Sequence, residues 1–125
     1  MNDLTTARTD MYAKLTANPQ TYPVYDPVPQ GVNKPFIVFG PDTSDPDEEL
    51  AVATTDAAIE IETWSATNGR AQSYAMLQFI RARLDGQTIA GAWFISEDFA
   101  TVMEDATSTA AARIYHGVAR YRVRV

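Results

Sequence analysis

Ala57-Ala58-Ile59-Glu60-Ile61-Glu62-Thr63-Trp64 is the stretch that decides the fold. Apolar and acidic residues alternate one for one, the period of a strand with one buried and one wet face. Ile59 and Ile61 are expected to face inward, Glu60 and Glu62 outward.

Upstream, Phe36-Ile37-Val38-Phe39 reads as a short buried strand closed by Gly40-Pro41. Between the two strands, residues 42–49 hold Asp42, Asp45, Asp47, Glu48 and Glu49, five acids in eight positions. This is expected to be an acidic loop or hairpin tip, about residues 41–50. Before it, Pro23, Pro27, Pro29 and Pro35 crowd the chain too closely for a central strand, so Val24-Tyr25 reads as an extended edge segment. Leu4, Ala7, Met11 and Leu15 recur at spacings of three and four, the stripe of an amphipathic helix that ends before Asn18-Pro19.

Downstream, Asn68-Gly69 turns into the strongest helix, about Arg70 to Leu84, with Tyr74, Leu77, Ile80 and Leu84 as its inner stripe and Asp85-Gly86 as its stop. Met76 and Phe79 fall off that stripe. Such a helix either has neighbours on two sides or lies in a subunit interface. Two long strands follow, Ala92 to Met103 and Ile114 to Val125, joined by a polar turn at 105–109. In the last strand Tyr121, Val123 and Val125 alternate with Arg120, Arg122 and Arg124. The order predicts a single α+β domain over residues 1–125: a mainly antiparallel sheet of about four strands with two helices on one face. The arginine row is expected to lie beside Glu60 and Glu62, fixing register more than stability, at ~0.2–1 kcal/mol per cross-strand pair.

The 125 residues carry a formal charge of −6, which argues against free-standing binding to nucleic acid or an anionic membrane. From Arg113 to Val125 the charge is +4, against −10 for the first 112 residues, a separation suited to opposite faces meeting. There is no cysteine, hence no disulfide or thiolate metal site. The first residues lack a basic and an apolar signal region, and no apolar run reaches the ~18 residues of a membrane span. A soluble protein made in the cytoplasm is expected.

The inventory for chemistry is short. His116 is the one histidine, inside a predicted strand and without a nucleophile-elbow motif, so it reads as a strand histidine at a sheet or ring contact. The acids of 42–49 miss the register of a cation-binding loop, and Pro46 interrupts them. No P-loop, G-x-G-x-x-G or H-E-x-x-H is present. Trp64 and Trp93 could stack on a ligand in a small binding module, or pack in a core or interface. The reading is therefore no enzyme, no metal and no cofactor.

Four stretches taken together resemble the small tail-completion (tail terminator) proteins of long-tailed phages and gene-transfer particles. They are Val24 to Gly40, with Val28-Pro29-Gln30-Gly31 and Pro35-Phe36-Ile37-Val38; Ile59 to Ser65, with Trp64-Ser65; the helix from Gly69-Arg70-Ala71 to Leu84; and Arg113 to Val123, with His116-Gly117-Val118 and Arg120-Tyr121-Arg122-Val123. The resemblance implies a structural virion protein, assembled in the bacterial cytoplasm, that caps the head-proximal end of the tail tube as a ring, usually of six copies. Its partners would be itself, the tail tube protein and a head or neck connector, with DNA passing through the lumen unbound. The candidate interaction residues are His116, Arg120, Arg122 and Arg124, the acids Asp42, Asp45, Asp47, Glu48 and Glu49, and Met76 and Phe79. The acidic stretch would line the lumen or order on a partner. A head-completion or neck connector protein is the alternative within the structural class.

Overall fold

The structure, a computed structural model, describes residues 4–26, 28–47, 54–67, 69–89 and 93–124. Its elements are helix α1 (Leu4–Thr16), strands β1 (Val24–Tyr25), β2 (Phe36–Asp47) and β3 (Thr54–Ser65), helix α2 (Ala71–Leu84), and strands β4 (Thr88–Ile89), β5 (Trp93–Glu104) and β6 (Tyr115–Arg124). The six strands form one sheet in the order β1-β2-β3-β6-β5-β4. All pairings are antiparallel except β1 with β2, so the sheet is mixed. Four long strands match the number expected; the two-residue β1 and β4 pieces extend the sheet at its margins.

Alternation in β3 sets the two faces. Ile59 and Ile61 are fully buried, as are Tyr121 and Val123 beside them on β6, and Ile37 and Ile95 further out. Ala7, Met11 and Leu15 of α1 and Met76, Leu77, Ile80 and Leu84 of α2 complete the same core cluster, so both helices cover one face. Leu84 ends α2, and Gly86, at φ +77°, makes the turn that follows.

Two expectations are corrected. Gly40-Pro41 does not close β2: Phe39 pairs with Ile61 and Asp42 with Ile59, so Gly40 and Pro41 together oppose Glu60 in a β-bulge. The strand continues through the acids to Asp47, which lies opposite Thr54. Proline is tolerated because β1 covers β2 only at Ile37 and Val38, leaving Pro41 and Pro46 on a sheet edge where a missing N–H costs no ladder bond. Positions 41–47 are thus strand and not loop; Glu48 and Glu49 lie outside the described residues.

The second correction concerns the phase of α2. Its buried residues are Ser73, Met76, Leu77, Ile80 and Leu84, whereas Tyr74 is exposed. Met76 is fully buried in the core and cannot serve an outer interface. Phe79 is half-buried at the α1–α2 junction, edge-on to Tyr22 with ring centroids 5.6 Å apart and 5.0 Å beneath the Arg83 guanidinium. Arg83 also donates to the carbonyls of Lys14, Ala17 and Pro19, at 3.1, 2.8 and 2.5 Å. These carbonyls, left over at the end of α1, would otherwise need water.

Candidate functional site

The opposite face of the sheet is covered by no element among the described residues. Its composition follows from the alternation already described: each strand that buries an aliphatic residue on one side must present its next residue on the other. The register sets its residues in cross-strand lines. At one end, Phe36, Trp64, His116 and Met103 lie side by side on β2, β3, β6 and β5. In the middle stand Glu60, Arg120 and Phe99, and beyond them Ala58, Arg122 and Ser96. Arg124 continues the β6 row between Asp56 and Phe94.

The first line is tightly built. The rings of Trp64 and His116 stack at 4.1 Å, 12° from parallel, and His116 Nε2 lies 2.6 Å from Glu62 Oε1. Gly40 permits the carboxylate to lie there, since a Cβ at that position would sit 3.0 Å from Glu62 Oε2. His116 is thereby held by a carboxylate at Nε2 and by the Trp64 indole against its ring face.

The middle line carries the sheet's irregularities. Opposite the Gly40-Pro41 bulge, Asp98 is an extra residue in β5, because Glu97 pairs with Tyr121 and Phe99 with Arg120. Two bulges therefore sit at one level, either side of Glu60 and Arg120, and bend the sheet along that line. Pro41, Ala58, Glu60 and Arg120 border a shallow hollow of about 130 Å³ there. The expected neighbourhood of arginine and glutamate rows is found in the pairing Glu60–Arg120, yet the ion pair of Arg120 is with Asp98, Nε to Oδ2 3.7 Å. With both side chains more than a third exposed, such a pair contributes little to stability.

Around these charges the face is apolar. Phe94, Phe99 and Met103 are 55, 44 and 45% exposed, and all belong to β5. The covered side of the same strand differs: Glu97 binds Arg81 at 2.7 Å and accepts the Tyr121 hydroxyl at 3.2 Å. Burial, followed by the charge of Glu97, pushes that hydroxyl well above the ordinary tyrosine range, so it remains a donor.

Of the candidates, then, His116, Arg120 and Arg122 share one row on the open face, with Arg124 next in register. The acids stand apart from them, since β3 separates β2 from β6. Asp42 is occupied on the helix side: Arg8 reaches Asp42 and Asp26, both at 2.7 Å, and stacks 5.0 Å over Phe39. Asp45 and Asp47 lie opposite Asp56 and Thr54. The ligand-binding alternative loses its pocket, because Trp64 and Trp93 belong to opposite ends of the sheet. Trp64 is level with Met103, ten positions and roughly 30 Å along β5 from Trp93. No group of three or more acidic or histidine side chains able to hold a metal is found among the described residues. No helix among them is long and apolar enough to cross a membrane.

The open sheet face thus carries exposed apolar side chains on β5 beside the arginine row of β6. Compared with known families, the chain matches the one described as Tail completion protein gp17 over residues 9–125. The chain belongs to the tail completion protein family. As a tail completion protein it is a structural component of a bacteriophage tail. A comparison with curated protein sequences finds no match. The match starts within α1 and runs through β6, so all six strands, α2 and the later part of α1 fall inside the matched region.

Proposed function

We propose that this tail completion protein caps the head-proximal end of the tail tube as a ring, ends tube polymerisation and offers a surface to the head or neck. The observation that carries the reading is the uncovered sheet face, where the Arg120/Arg122 row runs beside exposed Phe94, Phe99 and Met103. Apolar anchors bordered by charged side chains suit a specific protein contact, and three large apolar side chains exposed on one strand of a small domain favour a partner. The arginine row is the part we assign to tube or subunit contact. The β2–β3 hairpin, with Asp42, Asp45 and Asp47, adds negative charge that would repel passing DNA and let it slide, the inverse of phosphate neutralisation.

The test is the mass of the purified protein by light scattering over a wide concentration range, with and without tail tubes. A hexamer, about 83 kDa at 13.8 kDa per chain, or a monomer that becomes a cap when tubes are added, is the expected result. A dodecamer would assign the protein to the neck connector instead. A monomer that leaves tube ends growing would end the reading.

A further inference from the structure

Each half of the chain supplies one side of this sheet. Residues 1–67 supply α1 and the β1-β2-β3 side, and residues 68–125 supply α2 and the β6-β5-β4 side. The first part holds three basic and eleven acidic residues, net −8; the second holds seven arginines and five acids, net +2. Among the described residues the division is eight acids to three bases on the β1 side and five acids to seven bases on the β5 side, so the two lateral halves are opposite in charge.

They also differ in relief. On the β1 side a cleft of about 520 Å³ opens between Thr5, Arg8, Thr9 and Tyr12 of α1 and Val24 and Tyr25 of β1. On the β5 side Tyr74, Phe99 and Met103 project, each 44–55% exposed. Among the described residues β4 pairs with β5 only at Trp93 and Phe94, so from Ala100 to Glu104 the outer edge of β5 is an open strand edge. That stretch contains neither proline nor lysine, in contrast to the β2 edge with Pro41, Pro46 and its aspartates. The β2 edge is built to refuse an added strand; the β5 edge is not.

We infer that the β5 edge of one copy docks head to tail against the α1–β1 edge of a second copy. Projecting apolar side chains meet a cleft, and the positive half meets the negative half, which steers the encounter and fixes its direction. Different patches meet, so the contact is heterologous and repeats until a ring closes. The charges that border the β5 edge are already paired within the chain, Arg81 with Glu97, Arg120 with Asp98 and Arg113 with Glu104. Burying this edge leaves none of those six without its counter-charge. The inference rests on the ring reading above and names the surfaces that would make the ring.

Two exposed positions test it without touching the core. Phe99→Asp spoils the β5 edge, and Thr9→Trp fills the cleft. Each variant alone is expected to lose the ring mass while keeping the wild-type circular dichroism. Mixed in equal amounts they should form a heterodimer and nothing larger, because one intact edge of each kind remains. Rings that persist in both variants would overturn the edge assignment and leave the ring reading standing. A wild-type protein that is monomeric throughout and leaves tube ends uncapped would overturn both. The absence of native cysteine allows an independent check: a Thr9→Cys, Phe99→Cys double variant should give a disulfide-linked ladder on oxidation, and persistent monomer would contradict the proposal.

Discussion

The two faces of β3 and β6 are made from neighbouring residues of the same strands, yet they do different work. On the covered face Ile59, Ile61, Tyr121 and Val123 have no exposed surface, and their burial holds the helices to the sheet. On the open face, one residue along, Glu60, Arg120 and Arg122 remain in contact with water, and the Arg120–Asp98 ion pair there is long and exposed. Stability is thus concentrated on one side of a sheet a single layer thick, leaving the other side free to carry binding. Changes on the two faces should separate these properties.

The largest effect is expected on the covered face. Ile61→Ala removes fully buried methyl groups between the helices and the sheet and should cost about 2–5 kcal/mol in denaturant unfolding. A loss under 1 kcal/mol would mean that the helices are not held by this face.

An intermediate effect is expected at the Thr63–Gly117 pair of β3 and β6. A Cβ on Gly117 would clash with Thr63 Oγ1, a buried oxygen with no hydrogen-bond partner among the described residues. Gly117→Ala should therefore cost roughly 1–3 kcal/mol by overpacking. Combining it with Thr63→Ala, which takes that oxygen away, should recover most of the loss in a double-mutant cycle. Additive losses would show that Gly117 is required for some reason other than the contact with Thr63.

Much of the covered face was legible in the sequence, because strict alternation in 57–64 and 120–125 and the stripe of α1 each admit one phase. The α2 phase was not: Tyr74 and Met76 are both apolar enough to compete for the inner stripe, and only the tertiary fit chooses Met76. The extension of β2 was hidden because Gly40-Pro41 is the same signal whether it ends a strand or bulges an edge strand. Nor could local pattern reveal Arg8 with Asp26 and Asp42, or Arg83 with the end of α1, since these contacts span 18 to 69 residues of chain. On the open face the arginine row and His116 were readable as outward residues. The Trp64 stack on His116, the paired bulges and the cleft beside β1 depend on register between strands distant in sequence, and no single strand encodes them.

The smallest effect on stability should accompany the largest effect on function, and this contrast is the central claim. Replacing Arg120, Arg122 and Arg124 together by Gln changes the charge of the β6 row, where an exposed ion pair such as Arg120–Asp98 is worth about 0–1 kcal/mol. The decisive measurement is the length distribution of tail tubes assembled with this triple variant, read by electron microscopy beside its unfolding curve. The account predicts a nearly unchanged unfolding midpoint with tubes that overgrow and lack caps. Tubes of normal length with normal caps would contradict it.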